Sequence, residues 1–478
     1  GLCYMRSLFS SLQRHLQRQL TIWLQTLSVL NRRLSRGRTL TNNWTIGLAA
    51  LCLLLLGLNS VLPSGELSPQ VAAPLQSGTS LSLKASAQPR LSDPPNEIRG
   101  VWITNVASSV FFAPWGIPRA IHQLADMRFN TLYPVVWNRG QTFYHSETLE
   151  KITGRAIAPM MVLAHPTEDP LQEMLRFGHR EHMRVIPWFE YGFMVPMRSR
   201  LARTHSDWLT TRYGGSPLLH EPVHEPVHEP ALAASNQPPR GFFSRFLNSG
   251  APKELGWLNP LHPEVQALIL AMVEEVVTHY DVDGIQFDDH FSLPAAFGYD
   301  DYTVGLYQAE HGGQLPPENQ DDADWIRWRA DKFSQFVDAL HSRVKQACPT
   351  CIVSLSPNPA KFAYRFHLQD WQKWLDNGWL DELVVQVYRD DFYQFEGELA
   401  KKTLQSAMDR VPVSIGILTG TWRRPISFEQ IREQVISSRD HHFSGVSFFY
   451  WDTLWSYFTP ESPQQRRQQF RALMGEHV

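Results

Sequence analysis

The sequence predicts an α/β protein in which residues 96–478 fold as a single (β/α)8 TIM barrel. Eight short runs of β-branched and aromatic residues follow Glu97, and helical patterns separate them. Strands that alternate with helices form a parallel sheet, and eight such strands close into a barrel. An open, doubly wound sheet is the alternative. No glycine-rich nucleotide-binding loop follows the first run, so the barrel is the preferred fold.

The individual elements can be read from the same pattern. The predicted strands are residues 99–105, 131–137, 184–190, 283–289, 352–358, 383–389, 412–418 and 445–451. The predicted helices are residues 118–127, 170–183, 263–280, 325–347, 368–377, 396–410 and 427–440. Pro170 and Pro263 suit first helical positions, where a missing N–H costs no hydrogen bond. Ser427 and Gln430 have the spacing of a capping box, which predicts a helix start.

The part of the chain before the barrel predicts three further segments. Residues 1–43 contain seven arginines and no acidic residue, and residues 44–62 contain no charge. An uncharged helix of this length spans a bilayer, and the positive-inside rule places the arginines in the cytoplasm. We therefore expect a cytoplasmic basic segment, a transmembrane anchor in the cell membrane, and a flexible linker at residues 63–95. The barrel would lie on the periplasmic or extracellular side. A cleaved signal peptide is the alternative.

A low-complexity loop insertion is predicted at about residues 206–256. It contains His220, His224 and His228, each followed by Glu-Pro. Histidines at every fourth position suggest a metal tract, but the proline in each unit prevents a helix from aligning them. We therefore expect no metal site and no cofactor.

Cys348 and Cys351 form a single C-x2-C pair. Such a pair supplies only two of the four ligands of a structural zinc site. In an exported protein a local disulfide is the expected state of these cysteines, and two free thiols are the alternative.

The predicted active site lies where the strands end, because barrels of this kind take their catalytic residues from the carboxyl ends of their strands. On the fourth strand, alternation places Phe287 under the helices and points Gln286 and Asp288 into the barrel. Asp289 follows at the rim, and Glu190 ends the third strand. These three carboxylates are the catalytic candidates, since adjacent carboxylates raise each other's proton affinity and suit acid/base chemistry. Structural ion pairs are the alternative role.

Aromatic, amide and charged side chains accompany these carboxylates at the strand ends. The predicted substrate-binding residues are Asn105, Trp137, Arg139, Trp188, Tyr191, His290, Asn358, Gln386, Tyr388, Arg389, Trp451 and Asp452. Aromatic rings stack on the apolar face of a sugar, and amides bind its hydroxyl groups. Two carboxylates with such neighbours are suited to glycoside hydrolysis, in which one acid protonates the leaving oxygen.

Seven segments carry a resemblance to a known family. In chain order they are RGVWITN, TLYPVVWNRGQTFYHS, VIPWFEYGF, WLNPLHPEV, VDGIQFDDHF, SLSPNP and VVQVYR. They resemble the glycosyl-hydrolase-like 10 family over about residues 96–455. The resemblance implies an exported TIM-barrel glycosidase, related to divisome-localised peptidoglycan hydrolases, with Asp288, Asp289 and Glu190 as catalytic candidates. Asn259 stands where an aspartate is expected.

The predicted function is therefore that of a membrane-anchored glycoside hydrolase whose partner is a polysaccharide, foremost the glycan strands of peptidoglycan. Another extracellular or storage glycan, or a non-catalytic glycan-binding barrel, is the alternative. Retaining, inverting and substrate-assisted mechanisms stay open, the last with help from Tyr388. A nucleic-acid partner is excluded because residues 93–478 contain 35 basic and 46 acidic groups, whereas phosphate binding needs a basic surface.

Overall fold

The structure is a computed structural model that describes residues 95–106, 108, 110–219, 254–421, 424–456 and 459–475. The predicted basic segment, the predicted anchor and the linker up to residue 94 lie outside the described residues. So does the tract that contains His220, His224 and His228.

The structure does not support the expected localisation in the cell membrane. Within those residues, none of the helices is both long and apolar enough to cross a bilayer. The proposed anchor at residues 44–62 was not among the residues described.

The core of the protein is a curled parallel sheet of nine strands. The strands are β1 (Ile98–Ile103), β2 (Thr131–Pro134), β3 (Arg184–Val185), β4 (Trp188–Phe189), β5 (Gly284–Asp288), β6 (Ile352–Ser356), β7 (Glu382–Gln386), β8 (Val413–Leu418) and β9 (Gly445–Phe449). Their order across the sheet is β3-β2-β1-β9-β8-β7-β6-β5-β4, and every pairing is parallel. Each predicted run thus contains a strand, although most strands are shorter than predicted.

The two end strands of this sheet, β3 and β4, belong to one chain segment with Ile186 and Pro187 between them. The N–H of Ile186 donates to the carbonyl oxygen of Leu132 in β2 at 2.9 Å. The N–H of Gln286 in β5 donates to the carbonyl oxygen of Pro187 at 2.8 Å. The same segment therefore bonds to a strand on each side, and the curled sheet is consistent with the predicted TIM barrel.

Helices follow the strands along the chain. The longer helices are Gly116–Asp126, Pro170–Arg180, Pro263–His279, Asp301–Glu310, Ala323–Ala347, Ala360–His367, Phe392–Leu399, Phe428–Asp440 and Pro463–Leu473. The shorter helices are Glu147–Thr153, Pro159–Ala164, Arg200–Thr204, Trp371–Asp376, Lys402–Met408 and Trp451–Leu454. Three two-stranded antiparallel ribbons pair Trp137–Asn138 with Gln141–Thr142, Met194–Pro196 with Leu255–Trp257, and Gly420–Thr421 with Arg424–Pro425.

The predicted helix starts are confirmed. Pro170 and Pro263 occupy first helical positions, and the hydroxyl oxygen of Ser427 accepts from the N–H of Gln430 at 3.3 Å. The predicted helix at residues 396–410 is instead two helices, because the backbone of Lys401 is extended (ψ 129°) and ends the helical hydrogen bonding.

Side chains of β5 alternate as the sequence predicts. The ring of Phe287 faces outward, where its centroid lies 5.1 Å from that of Phe189. Gln286 faces the interior, where it accepts from Trp102 Nε1 at 2.7 Å and donates to Ser354 Oγ at 3.0 Å. Asp288, two residues further on, therefore points to the interior at the carboxyl end of the sheet.

A buried ion pair lies in the interior at the opposite ends of the strands. Arg184 Nη2 donates to Glu382 Oε2 at 2.9 Å, and both side chains are almost fully buried. The hydroxyls of Tyr133 and Ser354 each donate to the other carboxylate oxygen of Glu382 at 3.1 Å. The buried charge of Glu382 is thus compensated by one cation and two hydroxyl groups, as a charge in the interior requires.

The predicted disulfide is confirmed. Cys348 and Cys351 are bonded to each other at the end of the helix Ala323–Ala347. The bridge therefore lies in the short turn that leads from this helix into β6.

We expect Glu382→Ala to lower the free energy of unfolding by about 3–5 kcal/mol, because it leaves Arg184 buried without a counter-charge. Urea denaturation of the purified variant measures this change. Glu429→Ala is the matched control, since Glu429 pairs with Arg432 at the surface, where ion pairs contribute little. Equal stability of the two variants would contradict a structural role for the buried pair.

Candidate active site

Glu190 is buried directly after β4, and its carboxyl group accepts hydrogen bonds from two side chains. Thr104, which follows β1, donates its hydroxyl to Glu190 Oε2 at 2.9 Å. Asn138, in the ribbon that follows β2, donates Nδ2 to the same oxygen at 2.6 Å. The carboxyl ends of three neighbouring strands therefore fix the orientation of this carboxyl group.

Burial raises the pKa of Glu190 to about 7. The donors Asn138 and Thr104 favour the ionised form and partly oppose this rise, while the negative charge of Asp288 adds to it. Near neutral pH the group is therefore shared between its protonated and ionised forms, as a proton donor and acceptor needs to be.

Asp288 is the last residue of β5 and is also buried. It accepts from Trp188 Nε1 at 3.1 Å and from the backbone N–H of His290 at 2.9 Å. Burial raises its pKa to about 6, and the neighbouring His290 cation limits the rise. Asp288 thus loses its proton at a lower pH than Glu190, so neutral pH favours one acid and one anion.

His290 lies between the two carboxylates of β5. Its Nδ1 is 3.3 Å from Asp288 Oδ1 and 3.6 Å from Asp289 Oδ1. Burial alone would lower the pKa of His290, but the two aspartates raise it well above its usual value. The imidazole is therefore protonated, and it provides the counter-charge for both aspartates.

Asp289 is held in a different way from Asp288. Asn358 donates Nδ2 to its Oδ2 at 3.0 Å, and Gln386 donates Nε2 to its Oδ1 at 3.3 Å. Burial would raise the pKa of Asp289, but the charge of His290, the neighbouring His367 and the hydrogen bond from Gln386 together outweigh burial, and the pKa is lowered. Asp289 therefore stays ionised, which suits a residue that positions His290 rather than one that donates a proton.

The carboxylates share one cavity of about 170 Å³, named here the carboxylate cavity. It is lined by Trp102, Trp188, Glu190, Asp288, Asp289, His290, Ser356, Asn358, Phe362, Gln386, Tyr388 and Phe449. Aromatic rings and carboxylates therefore surround the same space, which suits a sugar that stacks on rings while its glycosidic oxygen meets an acid.

Eight of the predicted site residues line this cavity. They are Trp188, Glu190, Asp288, Asp289, His290, Asn358, Gln386 and Tyr388. Burial raises the pKa of Tyr388 well above its usual value, and the charges of Asp289 and Asp288 raise it further. Its hydroxyl therefore keeps its proton and can only donate or accept a hydrogen bond.

The other predicted residues lie outside the lining of the cavity. Trp137 is fully buried and donates Nε1 to the carbonyl oxygen of Gly192 at 2.8 Å, so its ring supports the backbone. Arg389 pairs with Glu398 at 3.0 Å. The remaining ones are partly exposed near the strand ends and are Asn105, Arg139, Tyr191, Trp451 and Asp452.

Sequence analysis assigned no role to four residues that the structure brings to the site. Trp102 and Phe449 are walls of the cavity, and Thr104 and Asn138 are the donors to Glu190. Alternation along β1 and β9 could have identified the two rings as inward-facing. Nothing in the local sequence shows that Thr104 and Asn138 meet Glu190, because that contact depends on how adjacent strands end.

Asn259, which replaces an expected aspartate, has a structural role. It is fully buried and donates Nδ2 to Asp300 Oδ1 at 2.9 Å and to Thr303 Oγ1 at 2.8 Å. Its own Oδ1 accepts from the N–H of Leu261 at 2.9 Å. Asn259 therefore fixes the start of the helix Asp301–Glu310 and is not among the residues that line the carboxylate cavity.

Asp288, Asp289 and His290 could offer three metal-ligand atoms that lie within 4.8 Å of one another. A protonated imidazole has no free lone pair for a metal ion. His290 would have to lose its proton before it could bind a metal ion, so metal binding at this cluster would compete with protonation of the imidazole.

A carboxylic acid and a carboxylate that share a cavity with aromatic walls supply what hydrolysis of a glycosidic bond requires. The protein is a glycoside hydrolase. The chain belongs to the glycosyl hydrolase-like 10 family, whose model matches residues 97–221 and 242–437.

Individual relatives agree with this assignment. Glycosyl hydrolase DigH of Escherichia coli K12 is 26% identical over 384 residues, which cover 74% of this chain and 77% of that protein. Glycosyl hydrolase YngK of Bacillus subtilis 168 is 22% identical over 331 residues, covering 61% and 54% respectively. The solved glycoside hydrolase domain of PgaB (BpsB) from Bordetella bronchiseptica has a TM-score of 0.52 at 14% identity, covering 80% of this chain and all of that chain. At this level of identity the likeness establishes a shared fold and nothing further.

We expect the burial of Glu190 to destabilise the protein as pH rises. The folded-state pKa of about 7 lies above the ordinary value of 4.5, so stability is full below the ordinary value and is lost as pH rises through 7. Glu190→Gln removes this loss. Its unfolding free energy relative to wild type should rise by about 3 kcal/mol between pH 4.5 and pH 8.

Chemical denaturation at several pH values measures this difference. Glu147→Gln, which alters an exposed carboxylate, is the control and should show no comparable change. A Glu190→Gln difference that is the same at every pH would mean that Glu190 titrates as it does in the unfolded chain.

Proposed function

We propose that the protein cleaves the glycosidic bonds of peptidoglycan glycan strands, with Glu190 as the general acid. The observation that carries this proposal is the setting of Glu190, a buried carboxyl group with a pKa of about 7 that faces Asp288 across a cavity with aromatic walls. The substrate follows from the resemblance to peptidoglycan hydrolases. The complete eight-stranded TIM barrel is part of the same proposal.

In this mechanism Glu190 protonates the glycosidic oxygen as the bond breaks. Thr104 and Asn138 both donate to Glu190, so they stabilise its carboxylate once the proton has left. The same two donors hold the carboxyl group in one orientation before the reaction. A general acid with a pKa near the working pH transfers its proton most effectively.

Asp288 is the second catalytic carboxylate in this proposal. At neutral pH it is largely ionised, and the His290 cation beside it stabilises that charge. An anion there can attack the sugar, activate water or stabilise an oxocarbenium-like transition state. Asp289 acts as a positioning residue, because its carboxylate holds His290 while two amides hold Asp289.

A substrate-assisted route uses the same residues in another way. The N-acetyl group of an amino sugar would be the nucleophile, Asp288 would stabilise the ring that it forms, and Tyr388 would donate a hydrogen bond to it. The cavity supports this route because Tyr388 keeps its proton and lines the space beside Asp288.

We expect the full chain to release glycan fragments from purified peptidoglycan, as measured by product mass analysis. Asp288→Asn should lower kcat by about 10²–10⁴-fold, because it removes the anion while keeping the shape of the side chain. The variant should melt at the wild-type temperature or above it. Asp376→Asn, at a surface aspartate, is the control.

Two results would contradict this proposal. Cleavage of a neutral storage glucan in preference to peptidoglycan would change the substrate. Cleavage of peptidoglycan by Asp288→Asn at the wild-type rate, with normal folding, would remove Asp288 from the mechanism.

We expect kcat/KM to have a narrow bell-shaped pH profile, with limbs near 6 and 7 from the pair of Asp288 and Glu190. Asn138→Leu removes a donor that favours ionised Glu190, so it should shift the alkaline limb upward by about one pH unit. Asn377→Leu, at an exposed asparagine, is the control. An alkaline limb that stays in place in Asn138→Leu would mean that another group is the acid.

A further inference from the structure

A second and larger pocket, of about 730 Å³, lies beside the residues that hold Glu190. We name it the arginine pocket after five of the residues that line it, which are Arg139, Arg155, Arg198, Arg200 and Arg203. No carboxylate is among its described lining residues. A concave surface with charges of one sign concentrates its electric field and attracts ions of the other sign.

These arginines have few partners within the described part of the chain. Arg198 forms one ion pair there, with Glu254 at 3.9 Å, and both side chains are largely exposed. Arg139 is partly buried, and its Nε is shielded from solvent without a hydrogen-bond acceptor. Arg155, Arg200 and Arg203 are exposed, so their guanidinium groups are accessible to an anion that enters the pocket.

Arg139 connects the pocket to the carboxylate cavity. Its Nη2 donates to the hydroxyl of Tyr191 at 3.2 Å, and its guanidinium lies over the ring at 5.3 Å. The ring of Tyr191 stacks on His290 with centroids 5.3 Å apart and an angle of 4°. Asn138, the preceding residue, donates to Glu190. Arg139 thus lines the arginine pocket, and its contact with Tyr191 leads to His290, which lines the carboxylate cavity.

We propose that the arginine pocket binds a carboxylate of the glycan, which makes the substrate an acidic polysaccharide. The inference rests on the proposed glycosidase function and adds the class of sugar that it selects. The planar guanidinium fork matches a carboxylate with two parallel hydrogen bonds. The volume lies within the range of pockets that take a small ligand, so it accommodates a sugar residue together with its acidic group.

Calorimetry on the full chain tests this inference without turnover, using Glu190→Gln as the background. The probes are glycan-strand fragments with free carboxylates and the same fragments with those carboxylates converted to methyl amides. The double variant Arg200→Gln/Arg203→Gln should bind the charged fragments about tenfold or more weakly than the background does. Its binding of the amidated fragments should be unchanged. Arg327→Gln with Arg410→Gln, at exposed arginines elsewhere, is the control.

Two further arms identify the ligand. Arg200→Lys with Arg203→Lys should recover part of the affinity, because lysine keeps the charge but not the fork. Inorganic phosphate should displace the charged fragments only weakly. Tight phosphate binding that excludes the fragments would show that the pocket takes a free phosphate, and it would overturn the assignment to substrate.

The outcomes separate this inference from the proposed function. Two results would overturn the arginine pocket as a carboxylate site while hydrolysis by the wild type stands. One is equal affinity for charged and amidated fragments, and the other is unchanged binding of charged fragments in the arginine variants. Failure of the wild type to cleave either fragment, with carboxylate-dependent binding intact, would contradict the proposed hydrolysis alone.

Discussion

The charge of His290 is the interaction on which the rest of the site depends. Two adjacent aspartates at the end of one strand repel each other, and burial increases the cost of both charges. His290 compensates them together because its Nδ1 faces both carboxylates. With that cation in place Asp289 stays ionised, and Asp288 titrates at about 6 rather than higher. Within the described part of the chain no cation forms an ion pair with Glu190, and burial raises its pKa further, to about 7. One partly buried cation thus gives otherwise similar acids different pKa values.

Two layers of polar side chains on the inner face of the curled sheet support this arrangement. The lower layer contains the pair of Arg184 and Glu382, and the next contains Gln286 between Trp102 and Ser354. Each side chain in these layers forms at least one hydrogen bond to another member, so the interior is fixed by directional bonds as well as by packing. Trp102 belongs to both levels, because its Nε1 binds Gln286 while its ring forms a wall of the carboxylate cavity. Trp102 therefore links the sheet directly to the residues of the carboxylate cavity.

The sequence predicts those features of the site that depend on a single strand. Strand alternation and the position of the strand end are sufficient to place Asp288 inside and Phe287 outside. The partners of Glu190 could not be predicted, because Thr104 and Asn138 come from other strands and their contact depends on register and loop geometry. For Trp137 the sequence predicted a contact with substrate that the structure does not place in the carboxylate cavity. A tryptophan at a strand end suggests a sugar platform, but the fold uses its ring to fill the core and its N–H to bind the backbone at Gly192.

The division between the carboxylate cavity and the arginine pocket has an electrostatic reason. An arginine in direct contact with Glu190 would favour the ionised carboxylate and lower the pKa that proton donation requires. Arg139 instead bonds to the hydroxyl of Tyr191, and the ring of Tyr191 stacks on His290. The guanidinium of Arg139 is thus held by the side chain of Tyr191, while Asn138, the residue before Arg139, donates to Glu190. Among the described contacts none of the five arginines pairs with Glu190, so burial can hold the pKa of Glu190 at about 7.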